Sequence, residues 1–195
     1  MTPERAFAEA YHAATMLIAA TPTLSGFAGW PLATLAPRPH THIPAADILR
    51  SYAEGNTDIT LGLHTAIRNI CDYADWQQTY DVSEVGQDFL NRYGWFELVG
   101  PTGHFHSDQV RAYIAYWGEN LYYPWHRHEA EELYFIIAGE ARFESEGDAP
   151  AWLRPGDTRF HASNQPHAMT TGASPVLTLV LWRGAGMTGV PEMVA

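Results

Sequence analysis

The chain changes its sequence pattern near residue 94, and this change most limits the folds open to it. Beyond that point, short runs of β-branched and aromatic residues alternate with turn signals. The runs cover 111–117, 132–137, 141–145 and 176–182, and the turns fall at 118–120, 138–139, 146–148 and 155–157. Several short strands at this spacing are typical of an antiparallel sandwich or barrel. The second half of the chain is therefore predicted to be a β-barrel.

The first half has the spacing of amphipathic helices. Apolar residues recur at intervals of three and four, at Phe7, Tyr11, Ala14 and Ile18 and again at Ile59, Leu63, Ile67, Ile70 and Ala74. This pattern predicts a first helix that stops at Pro22 and a second over 58–78 with Asp58 as its N-cap. A shorter helix is predicted over 45–54, after a proline-rich loop over 25–44. We expect residues 1–93 to form a helical region that packs on a barrel of residues 94–195, as one structural unit.

Composition excludes several functions. Asp and Glu number 22 against 11 Lys plus Arg, and the net charge of −11 opposes contact with nucleic acid and with anionic membrane surfaces. All of the basic residues are arginines, so Schiff-base, pyridoxal-phosphate and P-loop chemistry lack their lysine. The single cysteine, Cys71, excludes an intrachain disulfide and a multi-cysteine zinc site. No apolar run approaches the ~20 residues that cross a membrane, and the expected location is the cytoplasm.

One segment carries the residues of a metal site. His126, His128, Glu132 and Gly139 stand in the order H-x-H-x3-E-x6-G. Imidazole and carboxylate together suit a divalent transition metal, and side chains two apart on a strand share a face. A further ligand would have to come from a distant strand, and His167 is the natural candidate.

Two other H-x-H pairs test how specific this pattern is. They are His40 with His42 and His104 with His106. In neither pair is the second histidine followed four residues later by a carboxylate and then by a predicted strand and a glycine. We interpret both pairs as ordinary loop histidines, whereas a carboxylate on the strongly apolar strand after His128 needs a partner.

The motif from His126 to Gly139 resembles the first motif of the cupin superfamily, and Gly156 with His167 resembles part of the second. Within that superfamily the chain is similar to the bacterial dimethylsulfoniopropionate lyases, especially the Q type. The stretches that carry this similarity are 122–134, Tyr-Tyr-Pro-Trp-His-Arg-His-Glu-Ala-Glu-Glu-Leu-Tyr, and 138–140, Ala-Gly-Glu. The resemblance implies a mainly β fold, a single antiparallel cupin barrel of the jelly-roll type with an N-terminal helical region.

The same resemblance implies an activity and its site residues. Those enzymes eliminate dimethyl sulfide from a small zwitterionic sulfonium substrate and leave acrylate. It implies one divalent transition metal, which could be zinc, iron, manganese, nickel or cobalt. The implied ligands are His126, His128, Glu132 and His167, with Tyr134 near or on the metal and Tyr123 at the pocket. Whether His126 or Tyr134 completes the metal shell stays open.

The chemistry also points to particular residue types. A β-elimination removes a proton next to a carboxylate, and a metal on that carboxylate stabilises the developing enolate-like dianion. Because the chain has no lysine, the base must be a histidine, a glutamate or a tyrosine, and Tyr134 and Tyr123 are the preferred candidates. Aromatic faces can hold a sulfonium cation. The candidates for substrate binding are Trp117, Tyr122, Trp125, Phe135 and Trp182.

Two other functions remain open from the sequence. The same ligand set could serve an Fe(II) dioxygenase, since it leaves open positions for oxygen. A non-catalytic cupin that binds a small molecule is the third reading, although the sequence shows no attached DNA-binding helix pair or second sensor domain. A homodimer, the native metal and the physiological substrate are also left open.

Overall fold

The computed structural model describes residues 1–194. The helices are α1 (Pro3–Ala20), α2 (Pro22–Phe27), α3 (Pro44–Ser51), α4 (Leu61–Ile70), α5 (Val82–Val85) and α6 (Gln87–Arg92). The strands are β1 (Tyr93–Gly100), β2 (Phe105–His106), β3 (Arg111–Trp117), β4 (Tyr122–Arg127), β5 (Glu131–Ser145), β6 (Asp148–Leu153), β7 (Thr158–His161), β8 (His167–Arg183) and β9 (Glu192–Met193). The mainly β fold with helices at the N-terminal end is confirmed.

The sheet is organised around its two longest strands, β5 and β8, which pair antiparallel over most of their length. The strand order is β2-β1-β3-β8-β4-β9, and β5 pairs with β6, β7 and β8. All neighbours are antiparallel except the short β1–β2 pair. Within residues 1–194 these pairings do not close into a ring, so the sheet is open where a closed barrel was predicted.

The two faces of this sheet have different neighbours. Alternate residues of β5 lie on opposite faces. Leu133, Phe135 and Ile137 pack with the helices in one apolar cluster on the outer face. Tyr134 and Ile136 belong to a second cluster on the inner face. This alternation follows from the two-residue period of a strand. The inner face carries the candidate site, and α1 to α4 cover the outer one, whereas Phe89 and Leu90 of α6 pack in the inner cluster. Among the described residues, no helix is long and apolar enough to cross a membrane.

The helix predictions are correct in kind and wrong at several ends. The helix α1 is confirmed, but Pro22 does not simply stop it, because it begins α2 as an N-terminal proline. Within the range 58–78 predicted as one helix, only α4 (Leu61–Ile70) is helical. Ile59 lies before it and is 69% exposed, so it is not part of the apolar face. Thr60, not Asp58, is its N-cap residue.

The shorter α4 has a tertiary cause. Beyond Ile70 the chain turns back, and the buried Trp76 donates its indole N–H to the carbonyl of Cys71 at 2.9 Å. Gln77 then pairs with Trp95 of β1 as an isolated bridge. Packing against the sheet therefore outweighs the helical pattern after Ile70, as tertiary contacts often outweigh local propensity.

The predicted turn at 138–139 is wrong, because the runs 132–137 and 141–145 form the one strand β5. Gly139 has φ +73° and lies between two register shifts in the β5–β8 pairing. A Cβ at this position would collide with the carbonyl oxygen of Pro175. Gly139 is thus a bulge glycine that lets β5 bend.

Two buried histidines on the helical side predict an acid-sensitive stability. Burial lowers the pKa of His64 and of His104 to about 4, against about 6.5 for a free histidine. The unfolded chain therefore binds more protons than the folded chain between about pH 6.5 and 4, and stability falls as pH falls through this window. Each group contributes a slope of up to about 1.4 kcal/mol per pH unit there.

The variant His104→Phe should be less stable at pH 7, because it loses the contact in which the ring accepts the Asp75 N–H at 3.1 Å, but its stability should depend less on pH. Urea unfolding at pH 7 and 4.5 measures both effects. His12→Gln, at an exposed position of α1, is the control. An unchanged slope in His104→Phe would contradict the prediction.

Candidate active site

Glu132 lies at the centre of the candidate site. It is a buried residue of β5, and its Oε2 lies 3.3 Å from His128 Nε2 and 3.2 Å from His167 Nε2. The ligand atoms of these three residues all lie within 4.8 Å of one another. His128 follows the end of β4, and His167 begins β8. Three of the four residues predicted as ligands therefore share one small volume on the inner face.

The backbone orients the histidine rings. The Nδ1 atoms of His126, His128 and His167 lie 2.7, 2.9 and 2.8 Å from the carbonyl oxygens of Pro124, Ala130 and Gln165. A carbonyl only accepts, so each Nδ1 carries the proton, and in a neutral ring Nε2 keeps its lone pair.

The outer nitrogens of two of these rings suit a cation. Within the described chain, Nε2 of His128 and of His167 is buried and has no hydrogen-bond partner. Both atoms instead face a carboxylate oxygen, and lone pairs facing a carboxylate repel unless positive charge lies between them. The donor set and its geometry therefore fit a divalent cation.

The charges of this cluster are coupled. Burial opposes the charged form of Glu132, but the neighbouring His128 and the hydrogen bond from His161 outweigh it, so the pKa of Glu132 is well below its ordinary value. Burial opposes protonation of His128, yet Glu132 raises its pKa. Burial and the neighbouring His167 hold the pKa of His126 well below 6.5. The site is thus an ionised carboxylate among imidazoles.

His126 lies beside this cluster and outside the group of three. Its ring centre is 4.1 Å from that of His167 and 4.2 Å from that of Tyr123. It lines the same cavity as Tyr134. Both residues stay candidates for completing a metal shell.

A cavity of about 190 Å³ opens onto the cluster. Seven of its eighteen wall residues are Trp or Tyr. The members are Gln78, Thr79, Tyr93, Trp95, Arg111, Tyr113, Ala115, Trp117, Tyr123, His126, His128, Glu132, Tyr134, Val180, Trp182, Gly189, Val190 and Pro191. Within the described chain, Glu132 is the only acidic residue of this wall. Arg111 is paired with Glu97 at 2.6 Å and donates to the carbonyls of Met187 and Gly189, which holds the C-terminal segment against the cavity.

Both predicted tyrosines line this cavity and are buried. The hydroxyl of Tyr123 lies 3.2 Å from that of Tyr80. Burial, followed by the charge of Glu132, raises the pKa of Tyr134 well above 10, and burial with its tyrosine neighbours raises that of Tyr123. Each phenol is therefore neutral at neutral pH unless positive charge approaches it.

Of the five aromatic residues predicted to bind substrate, Trp117 and Trp182 line the cavity. Tyr122, Trp125 and Phe135 do not. Each of these three is the strand neighbour of a cavity residue, Tyr123, His126 or Tyr134, so its side chain points to the opposite face. Tyr122 is 51% exposed, and Phe135 packs in the cluster with the helices.

The sequence analysis missed several residues of the site. Arg111, Tyr113 and Ala115 lie on the same strand face as Trp117, so the two-residue period of the predicted strand 111–117 could have identified them. His161 was also missed. It is fully buried, and its Nδ1 lies 2.8 Å from Glu132 Oε2. No local motif marks His161, because the pairing of β7 with β5 brings it there.

A mainly antiparallel sheet that carries a His–His–Glu cluster on its inner face is typical of the cupin class. Residues 33–178 match the family model described as dimethylsulfoniopropionate (DMSP) lyase. The chain belongs to the DMSP lyase family.

Relatives of known sequence and structure agree with this assignment. The dimethylsulfoniopropionate lyase DddQ of Ruegeria pomeroyi DSS-3 is 44% identical over 174 residues, which are 86% of this chain and 84% of that protein. The crystal structure of DddQ from the same organism covers 98% of this chain and 97% of its own, with 38% identity and a TM-score of 0.93. A structure from the crystal structures of the DMSP lyases RdDddP and RnDddQII covers 100% of both chains, with 42% identity and a TM-score of 0.97.

Proposed function

We propose that this protein is a carbon–sulfur lyase that cleaves dimethylsulfoniopropionate to dimethyl sulfide and acrylate by β-elimination. The observation that carries the proposal is the aromatic cavity in which two buried tyrosines adjoin the His128–Glu132–His167 cluster. Membership of the DMSP lyase family supports the choice of substrate.

We propose that His128, Glu132 and His167 hold one divalent transition metal, with His126 or Tyr134 adjacent. The buried Nε2 atoms of the two histidines and the ionised carboxylate support this assignment. When bound, such a cation would withdraw charge from the substrate carboxylate and lower the pKa of a neighbouring phenol.

The cavity wall suits a molecule with one cationic end. Trp117, Tyr113 and Tyr93 present aromatic surface, which attracts a sulfonium by roughly 0.5 to 2 kcal/mol per ring. Both oxygens of Glu132 already accept N–H donors, from His161 and Trp182, so this carboxylate is not free to trap the sulfonium. The cationic end is therefore held by aromatic faces and not by an ion pair.

The base in this proposal is Tyr134, with Tyr123 as the second candidate. The phenolate oxygen takes the proton from the carbon next to the substrate carboxylate. The electron pair of that C–H bond forms the double bond of acrylate, and the C–S bond breaks with its electron pair leaving on dimethyl sulfide. The phenol then returns its proton to solvent before the next turnover.

Headspace analysis of dimethyl sulfide over the purified protein tests the function. We expect release from dimethylsulfoniopropionate under strict anaerobiosis, with stoichiometric acrylate, and loss of release after chelation with recovery when metal is restored. A requirement for oxygen would instead indicate a dioxygenase. No turnover by the metal-loaded protein would contradict the proposal and favour a binding protein.

The aromatic wall makes a separate prediction. Trp117→Leu should raise KM for the sulfonium substrate about 2- to 30-fold, which corresponds to the loss of one cation–π contact of roughly 0.5 to 2 kcal/mol. The inhibition constant of a neutral thioether acid of the same shape should rise less, because this attraction depends on charge. Trp125→Leu is the matched control, since Trp125 lies outside the cavity wall. Equal weakening for both ligands would leave only apolar packing.

A further inference from the structure

Glu132 has a donor on each side at the same level of the sheet. In the strand pairings, Glu132 of β5 lies directly opposite His161 of β7 and opposite Trp182 of β8. His161 Nδ1 lies 2.8 Å from Oε2, and the Trp182 indole N–H donates to Oε1 over 2.7 Å. Each carboxylate oxygen therefore has one donor held by a neighbouring strand.

His161 is a costly residue for a purely structural role. It is 0% exposed, and within the described chain its Nε2 has no hydrogen-bond partner. A buried polar atom without a partner destabilises the fold, and an apolar side chain would fill the same space without this cost. What the imidazole adds is the Nδ1–H that Glu132 accepts.

The ring of His161 also supports a second member of the cluster. It stacks on the ring of His167, with ring centres 3.9 Å apart and planes 20° from parallel. His167 is held on its other edge by the contact of its Nδ1 with the carbonyl of Gln165. One side chain thus contacts both the carboxylate and an imidazole of the candidate metal site.

The consequence for Glu132 is a restricted carboxylate. A glutamate side chain rotates about three bonds, and donors on both oxygens remove most of that freedom. Oε2 then faces His128 and His167, at 3.3 and 3.2 Å from their Nε2 atoms, in the arrangement that a cation needs. Partners that orient a metal ligand in this way typically contribute 10- to 100-fold to metal affinity.

We propose that His161 is a positioning residue, which orients the Glu132 carboxylate from one side while Trp182 orients it from the other. The inference rests on the metal site of the proposed function, but it concerns metal binding and not turnover. It also assigns Trp182 a second role, because its indole N–H is engaged with Glu132 whatever its ring contributes to substrate binding.

Cobalt(II) is the probe, because its visible absorption reports ligand geometry and chelator competition gives its affinity without any substrate. Two variants of similar size separate the roles: His161→Asn places an amide N–H near the position of Nδ1, and His161→Gln extends it toward the position of Nε2. We expect His161→Gln and His161→Phe to bind cobalt 10- to 100-fold more weakly with an altered spectrum. His161→Asn should recover most of the affinity and the original spectrum.

The control is His104→Phe, which replaces another buried histidine far from the cluster and should bind cobalt as the unaltered protein does. If His161→Phe does not fold, the comparison of Asn with Gln decides. Equal cobalt affinity and spectrum in the Asn and Gln variants would overturn the inference, as would an unaltered protein that does not bind cobalt. An unaltered protein that binds cobalt but releases no dimethyl sulfide contradicts the proposed lyase activity and leaves the positioning role intact.

Discussion

Tyr134→Phe is expected to lower kcat for acrylate formation by ~10² to 10⁴, the range typical of losing a general base. The substitution removes only the hydroxyl. It keeps the ring, whose centre lies 5.1 Å from the ring centre of Phe143. The protein should therefore stay folded. Metal content is measured beside kcat, because a loss of metal is expected if Tyr134 is itself a ligand and no loss is expected if it acts only as the base. Acrylate assays and elemental analysis of the same preparation measure the two quantities.

The size of the loss separates two roles for the hydroxyl. If the hydroxyl only donates an ordinary hydrogen bond to the substrate, its removal should lower the rate roughly tenfold, which corresponds to about 1.4 kcal/mol. Tyr123→Phe is tested beside Tyr134→Phe, and Tyr122→Phe is the matched control, because its side chain is exposed and outside the cavity wall. If Tyr134→Phe and Tyr123→Phe each retain more than about a tenth of the original kcat, a histidine or glutamate base must replace the tyrosine.

Alanine at each of His128, Glu132 and His167 should remove most of the bound metal and with it most of the activity. Each variant deletes one ligand from a site whose ligand atoms lie within 4.8 Å of one another, and a site of this size binds far more weakly with one ligand fewer. Glu132→Ala should have the largest effect, because it leaves His128, His161 and His167 without their shared carboxylate partner.

Elemental analysis after dialysis measures this loss. His104→Ala is the control and should keep its metal, since His104 stacks on Phe7 on the helical side of the sheet. His126→Ala is informative in either direction, because a full loss would place His126 in the metal shell and a small one would favour Tyr134. Full occupancy in all three alanine variants would refute the ligand assignment.

Much of the fold could be predicted from local pattern. The apolar repeat from Phe7 to Ile18 identified α1, and the run 111–117 coincides with β3. These segments were predictable because their period matches the element that forms. The length of the helix expected over 58–78 was overestimated. Burial of Trp76 and the bridge of Gln77 to Trp95 end it early, and both depend on a sheet that the local pattern does not describe.

The residues of the candidate site also fall into those that the local sequence identified and those that it did not. The spacing of His128 and Glu132 is local, so it was visible in the sequence, and His167 was named as a distant partner that the structure places 3.2 Å from Glu132. Phe135 was named as an aromatic residue near the motif, but it points to the outer face, because one position along a strand reverses the direction of a side chain.

By itself, then, the sequence determined the class of chemistry: imidazoles and a carboxylate at metal-ligand spacing, no lysine, and aromatic residues on predicted strands. Only the tertiary structure decided which of those side chains meet. His161 reaches Glu132 because β7 pairs with β5 in one register, and Trp182 reaches the other oxygen because β8 pairs with β5 in another. Strand register depends on hydrogen bonds and packing between segments far apart in the chain, and a shift of one residue would turn each of these side chains to the opposite face.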